Sequence, residues 1–99
     1  MSFDNLVRQE ARLIILRALE EQSDGRLNSE LLRVTLATYG ISKSRDWVHD
    51  ELNWLASMSA VTVVIAGTVR VAQLTAKGSD HVGRRLVIEG VKRPSRPEA

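Results

Sequence analysis

The sequence contains no cysteine, only two prolines and few aromatic residues, and no long apolar run. Without cysteine the chain has no disulfide, no thiolate nucleophile and no cysteine-based zinc site. No apolar run approaches the ~20 residues that cross a bilayer, and no basic segment followed by an apolar core stands at the start. These absences predict a cytoplasmic protein that does not associate with a membrane.

Catalytic motifs are also missing, including a glycine-rich phosphate loop, His-Glu-x-x-His and Gly-x-Ser-x-Gly. Asp46 and Asp50 lie one helical turn apart and resemble a carboxylate pair, but no pocket or metal ligand is predicted beside them. His49 and His81 fall in different predicted helices, and we expect His81 at the surface. The sequence therefore predicts no enzyme, no cofactor and no bound metal.

The charges that are present divide unevenly along a chain long enough for one domain. Residues 1–59 hold seven Lys/Arg against nine Asp/Glu, whereas residues 60–99 hold seven against three. A basic C-terminal part suits an anionic partner, although a solvated basic tail is the commoner meaning of such asymmetry. We predict a domain over residues 1–89 and a basic flexible tail over residues 90–99.

Apolar residues recur at helical spacing in three segments. The first runs from about Asp4 to Gln22, with Asp4 as its cap; the second spans about Ser29 to Tyr39, capped by Asn28. Gly40 supplies the tight turn to a third helix, over about residues 42–57, which buries Val48, Leu52 and Leu55. In the first helix Leu13, Ile14 and Ile15 extend the apolar surface to a second face. This fits either a central helix that the chain itself buries or a homodimer interface, and we predict these three residues as the interface.

The period then changes from 3.6 to 2 over Val61 to Leu74, which predicts a β-hairpin turning at Ala66-Gly67-Thr68. Leu27 can add a short third strand, and Thr75 can cap a short closing helix. The order of elements predicts an α+β winged helix-turn-helix. This fold has a three-helix core, a two- or three-stranded wing and a C-terminal helix or arm.

Three stretches resemble winged helix-turn-helix regulators. Ser44 to Leu55 is similar to the third helix of many bacterial repressors, and Val61 to Leu74 to the wing. Leu74-Thr75-Ala76-Lys77-Gly78 resembles the Leu-Thr-x-Lys/Arg-Gly junction after the wing. The resemblance implies binding to double-stranded DNA through the third helix and the wing.

A narrower resemblance is to short proteins of Mu-like phages and prophages, often labelled arsenical-repressor-like regulators. It is carried by Met1-Ser2-Phe3-Asp4 with Arg12-Leu13, by Ser44-Arg45-Asp46 and by Gly90-Val91-Lys92-Arg93-Pro94. It implies a regulatory role in a phage. The resemblance does not imply metal sensing, because the chain has no cysteine and its two histidines lie in different predicted helices.

We expect DNA contacts from polar and basic residues of the third helix, the wing and the C-terminal part. Arg45 suits guanine, Asn53 suits adenine, and an aspartate accepts from cytosine. The full predicted set comprises Lys43, Ser44, Arg45, His49, Asn53, Arg70, Lys77, Arg84, Arg85, Lys92 and Arg93.

Two observations weigh against strong DNA binding and keep alternatives open. The segment Lys43–Glu51 has two positive and three negative side chains, and the wing tip lacks a basic one. A protein-interaction module that docks a phage or host protein through the acidic helix and Trp47 and Trp54 is one alternative. Burial of both tryptophans is the more ordinary expectation. A DNA-packaging accessory is another alternative.

Overall fold

The computed structural model describes residues 2–95 and shows an α+β winged helix-turn-helix, which confirms the predicted fold. Its helices are α1 (Phe3–Glu20), α2 (Ser29–Thr38), α3 (Arg45–Ser57) and α4 (Ala76–Val82). Its strands are β1 (Arg26–Asn28), β2 (Val61–Ala66) and β3 (Val69–Leu74), and they form one antiparallel sheet in the order β1-β3-β2. The short strand expected at Leu27 is therefore present and pairs with β3.

Side-chain caps set where the helices begin. Asn28 accepts from the backbone N–H of Leu31 as predicted, and Ser44 accepts from the N–H of Trp47 and starts α3. The cap of α1 is Ser2 rather than Asp4. Asp4 lies in the first turn of α1, where its negative charge still favours the positive end of the helix dipole.

The turn between α2 and α3 depends on Gly40. This glycine has a φ of +86°, a conformation that is costly for any residue with a Cβ. The N–H of Gly40 bonds the carbonyl of Ala37, and the N–H of Ile41 bonds that of Leu36. These two hydrogen bonds form a Schellman motif, which ends α2 sharply enough for α3 to cross beside it.

The core lies between the three long helices and the inner face of the sheet. Val48, Leu52 and Leu55 are fully buried, as the periodicity of α3 predicts. They meet fully buried leucines of α1 and α2 and the sheet residue Ala72. Burial of each such side chain contributes about 1.5–3 kcal/mol relative to exposure, so this contact holds α3 in place.

The predicted dimer interface at Leu13, Ile14 and Ile15 is wrong. All three side chains are buried by the chain's own core, because α1 is covered on two sides rather than one. α1 contacts α2 on one flank and α4 and β3 on others, and this explains its wide apolar surface.

Residues 83–95 pack back onto the helices, so the predicted tail boundary at residue 90 is not where the packing ends. Val91 is 5% exposed, and the N–H of Lys92 bonds the carbonyl of Gln9 on α1. His81, expected at the surface, is fully buried; its Nδ1 accepts from the N–H of Ile88 and its Nε2 bonds the carbonyl of Lys92. The rest of the predicted tail, residues 96–99, lies outside the described residues.

Among residues 2–95, no helix is both long and apolar enough to cross a bilayer.

Candidate nucleic-acid interface

The exposed side of α3 and the wing, formed by β2 and β3, are joined by two arginines. Arg45 at the start of α3 donates from Nη1 to the backbone oxygen of Thr68 in the wing turn, at 3.2 Å. Arg70 on β3 donates from Nη1 to Oδ1 of Asn53 on α3, at 3.0 Å. Helix and wing thus form one composite surface, which holds two of the predicted base-reading residues.

A buried serine fixes a third predicted residue at the edge of this surface. The hydroxyl of Ser29 accepts from the backbone N–H of Arg70 and lies 2.8 Å from Nε2 of His49. Burial lowers the pKa of His49 below its ordinary value, and the positive charge of Arg70 lowers it further. This setting between α2, α3 and β3 favours the neutral form of the ring over the charged one.

A shallow cleft separates the first turns of α3 from the wing turn. It has a volume of about 480 Å³ and is lined by Ser44, Arg45, Asp46, His49 and Thr68. Its walls carry one guanidinium and one carboxylate, so it offers both donors and acceptors. The hydroxyl oxygen of Ser44 caps α3 by accepting from the N–H of Trp47, so this hydroxyl can meet a base chiefly as a donor.

Glu51 does not belong to the exposed face of α3. It is 2% exposed, and its carboxylate accepts hydrogen bonds from two arginines of α1, from Arg8 Nη1 at 2.5 Å and from Arg12 Nε at 2.6 Å. The exposed carboxylates of α3 are therefore Asp46 and Asp50, and the face is less acidic than its sequence suggests.

Sequence reasoning missed this network because each partner, taken alone, resembles a surface charge. The available signal was that Arg8 and Arg12 lie one turn apart on α1, while Glu51 adjoins the buried Leu52.

The two tryptophans of α3 contact α1 and its arginines. Arg12 Cζ lies 3.8 Å from the ring centroid of Trp54, while Arg8 Cζ and Lys43 Nζ lie 5.1 and 5.5 Å from that of Trp47. These are cation–π distances. Both rings are partly buried within the chain, as the more ordinary expectation had it.

The remaining predicted basic residues lie on α4 and on residues 83–95, the C-terminal segment. Arg84 bonds the carbonyl of Pro94, Arg85 pairs with Asp80 at 2.8 Å, and Lys92 pairs with Glu10 at 2.7 Å. Lys77 and Arg93 are exposed. Within residues 2–95, none of these five side chains forms a hydrogen bond or ion pair with α3 or the wing. The composite surface itself carries Arg45 and Arg70, while Lys43 precedes α3 and lies near the ring of Trp47.

The fold and this surface define a winged-helix protein. The chain is 36% identical over 96 residues, 97% of its length, to "uncharacterized protein gp26" of Escherichia phage Mu, of which it covers 98%. The chain belongs to the family of this phage Mu protein. A second relative, an uncharacterized protein of Haemophilus influenzae, is 36% identical over 63 residues, which is 64% of this chain and 61% of that protein.

Solved structures support the fold. The complex structure of hsRosR-S1 matches 75% of this chain with a TM-score of 0.62 at 18% identity, and this chain spans 65% of that one. The complex structure of hsRosR-S4 matches 80% of this chain, and 73% of its own, with the same score and identity. No protein-family model matches the sequence.

Proposed function

We propose that this protein binds double-stranded DNA and regulates transcription in a Mu-like phage or prophage. The observation that carries the proposal is the composite surface, in which Arg45 and Arg70 hold α3 and the wing on one side of the molecule. The kinship with a phage Mu protein supports the phage setting. The finer resemblance to arsenical-repressor-like regulators stays a prediction.

α3 would enter the major groove with Arg45, in its first turn, and Asn53, about two turns later, toward base edges. The bond from Arg45 to Thr68 is solvent-exposed, so the guanidinium can exchange it for a guanine at little cost. Asn53 offers its amide N–H groups while Arg70 holds its oxygen, and the second amino group of Arg70 remains for a phosphate.

Asp46 and Asp50 would weaken general attraction to phosphates and favour sites that present cytosine amino groups. The proposal is thus a protein with weak non-specific binding and strong dependence on sequence.

The experiment is binding of the full chain to a pool of varied duplexes at low and moderate salt. Arg45→Ala should weaken the selected duplex about tenfold and relax its sequence preference. Arg70→Ala should lower affinity for all duplexes and reduce the salt slope by about one. The control is Arg17→Ala, which removes an exposed arginine from α1. Absence of any duplex binding at low salt would refute the proposal.

The regulator would act as a homodimer through an apolar groove beside the start of α1. Phe3 is 79% and Tyr39 66% exposed, and with Leu6 and Val7 they line a groove of about 480 Å³. Two such aromatic rings and their symmetry mates would bury about 600 Å². At the usual apolar share this implies a total near 1,000 Å², the lower end for specific interfaces.

Charges at the edge of this groove permit a second copy. Asp4 pairs with Arg8, and Glu10 pairs with Lys92, so two copies meet without net repulsion. Phe3→Asp should lower the average mass that sedimentation measures at about 100 µM, because the contact at this groove is lost, whereas Val87→Asp, also at an exposed apolar residue, should leave that mass unchanged. A wild-type monomer at about 100 µM, well above ordinary micromolar affinities, would contradict the dimer.

A second candidate is a protein-interaction module, which the exposed carboxylates of α3 favour. Within residues 2–95 neither Asp46 nor Asp50 forms an ion pair, so both are available to a basic partner. The double variant Asp46→Asn/Asp50→Asn separates the candidates. Duplex affinity should rise if the surface meets phosphates, whereas capture of a defined basic partner from lysogenic cells should fall.

A DNA-packaging accessory would bind DNA but leave promoters unchanged. A reporter driven by the selected duplex separates this role from regulation.

A further inference from the structure

The outer edge of β2 is uncharged and lacks the features that normally protect a free strand edge. No charged residue occurs between Glu51 and Arg70, and β2 itself has neither proline nor a bulge in its pairing with β3. Val64 is 65% and Ile65 72% exposed. Proteins normally protect a free edge with lysine, proline, a bulge or a very short strand, and β1 at the opposite edge has only three residues.

The backbone groups that this edge presents follow from the turn of the wing. Gly67 has a φ of +61° and Thr68 is not among the residues of positive φ, as in a type II′ turn of two residues. Such a turn makes Ala66 and Val69 a hydrogen-bonded pair. The N–H of Thr75 bonds the carbonyl of Ala60 at 3.1 Å. The same alternation of hydrogen-bonded pairs therefore holds at the open end of the hairpin.

Because bonding alternates along an antiparallel strand, Thr62, Val64 and Ala66 bond β3, and Val63 and Ile65 point their backbone groups toward the open edge. Val61 follows the same alternation but is only 2% exposed, so its backbone groups are not open to a partner. Within residues 2–95 the outward groups of Val63 and Ile65 accept or donate no backbone bond to another element. The edge therefore presents backbone donors and acceptors that another strand can pair with.

We propose that β2 pairs antiparallel with β2 of a second copy, joining two three-stranded sheets into one. With Val64 opposite its own symmetry mate, Val63 faces Ile65 of the other copy. The outward groups of these two residues then form about four hydrogen bonds. Two uncharged strands meet without like-charge repulsion, and the pairing covers the exposed Val64, which supports a second copy as the occupant.

This contact is separate from the groove at Phe3 and does not depend on DNA binding. The two contacts are distinguished in the Phe3→Asp background, where only the β2 contact remains. There sedimentation should show a dimer at about 100 µM, and adding Val64→Lys should return it to a monomer. The control adds Val87→Lys, which places the same charge at an exposed valine outside the sheet and should leave the dimer intact.

Amide hydrogen exchange gives a second readout in the Phe3→Asp protein. The amides of Thr62 and Val64 bond β3 and should be protected at every concentration. Those of Val63 and Ile65 should become protected only as the concentration rises. A monomer at all concentrations, or exchange at Val63 and Ile65 that ignores concentration, overturns the proposal.

Discussion

Arg12 lies over the ring of Trp54, with its Cζ 3.8 Å from the ring centroid. The same guanidinium donates to Glu51 at 2.6 Å and to the carbonyl of Gly90 at 2.9 Å. One side chain of α1 therefore connects α3 to the C-terminal segment. Because α3 carries the proposed DNA-reading face, the stability of this junction bears on function as well as on the fold.

Replacing Glu51 tests the buried charges of the junction. Glu51→Ala leaves Arg12, and in part Arg8, without a counter-charge in a mostly buried setting. We expect a loss of about 3 kcal/mol in the free energy of unfolding, because Arg8 retains contact with solvent. Urea unfolding measures it, with Glu89→Ala, an exposed glutamate, as the control that should change little. Equal stability of both variants would contradict the role given to Glu51.

Gly90 is required by the closeness of Trp54. A Cβ at residue 90 would lie 2.7 Å from Cζ2 of Trp54, and the φ of Gly90 is +92°. Gly40 has a similar φ of +86° but nothing within 4 Å of such a Cβ. We therefore expect Gly40→Ala to cost about 1 kcal/mol and Gly90→Ala about 1–3 kcal/mol more. Thermal unfolding followed by tryptophan fluorescence measures both; equal losses would show that the ring moves freely.

His49 should make stability depend on pH. Its pKa is lowered by burial and by Arg70, so the folded protein favours the neutral ring. The unfolded chain takes up the proton first as the pH falls through about 6.5, and the stabilisation present above that pH is lost below it. Wild-type protein should therefore lose more stability between pH 7.5 and 5.5 than His49→Gln does. The effect is small because the ring is partly exposed, and identical pH profiles would refute it.

His81 fastens the C-terminal segment. His81→Ala leaves the buried N–H of Ile88 without its acceptor, which costs about 1–3 kcal/mol. Cleavage by trypsin after Arg84 and Arg85 should become faster, because the segment separates from the helices more often. Val87→Ala truncates an exposed side chain of the same segment and should leave the cleavage rate unchanged. Unchanged cleavage in His81→Ala would show that the segment is held by other contacts.

Short-range sequence preferences determined the helices, the wing and most of the positions where these elements begin and end. The stripe of Val48, Leu52 and Leu55, the cap at Asn28 and the turn at Gly40 each depend on residues within a few positions of one another. Such short-range preferences act on the chain regardless of its tertiary context, and for this reason the winged-helix order of elements was predictable.

Only the folded structure decided which polar side chains meet. Glu51 is 39 residues from Arg12 and 43 from Arg8, and the ring of His81 bonds a carbonyl 11 residues away. Apolar periodicity states that a face is buried but not by which element. The burial of Leu13, Ile14 and Ile15 by the chain itself, rather than by a second copy, was therefore decided by packing around α1. A charge or an imidazole is buried only where tertiary packing supplies its partner, and the spacing of Arg8 and Arg12 along α1 does not by itself identify Glu51 as that partner.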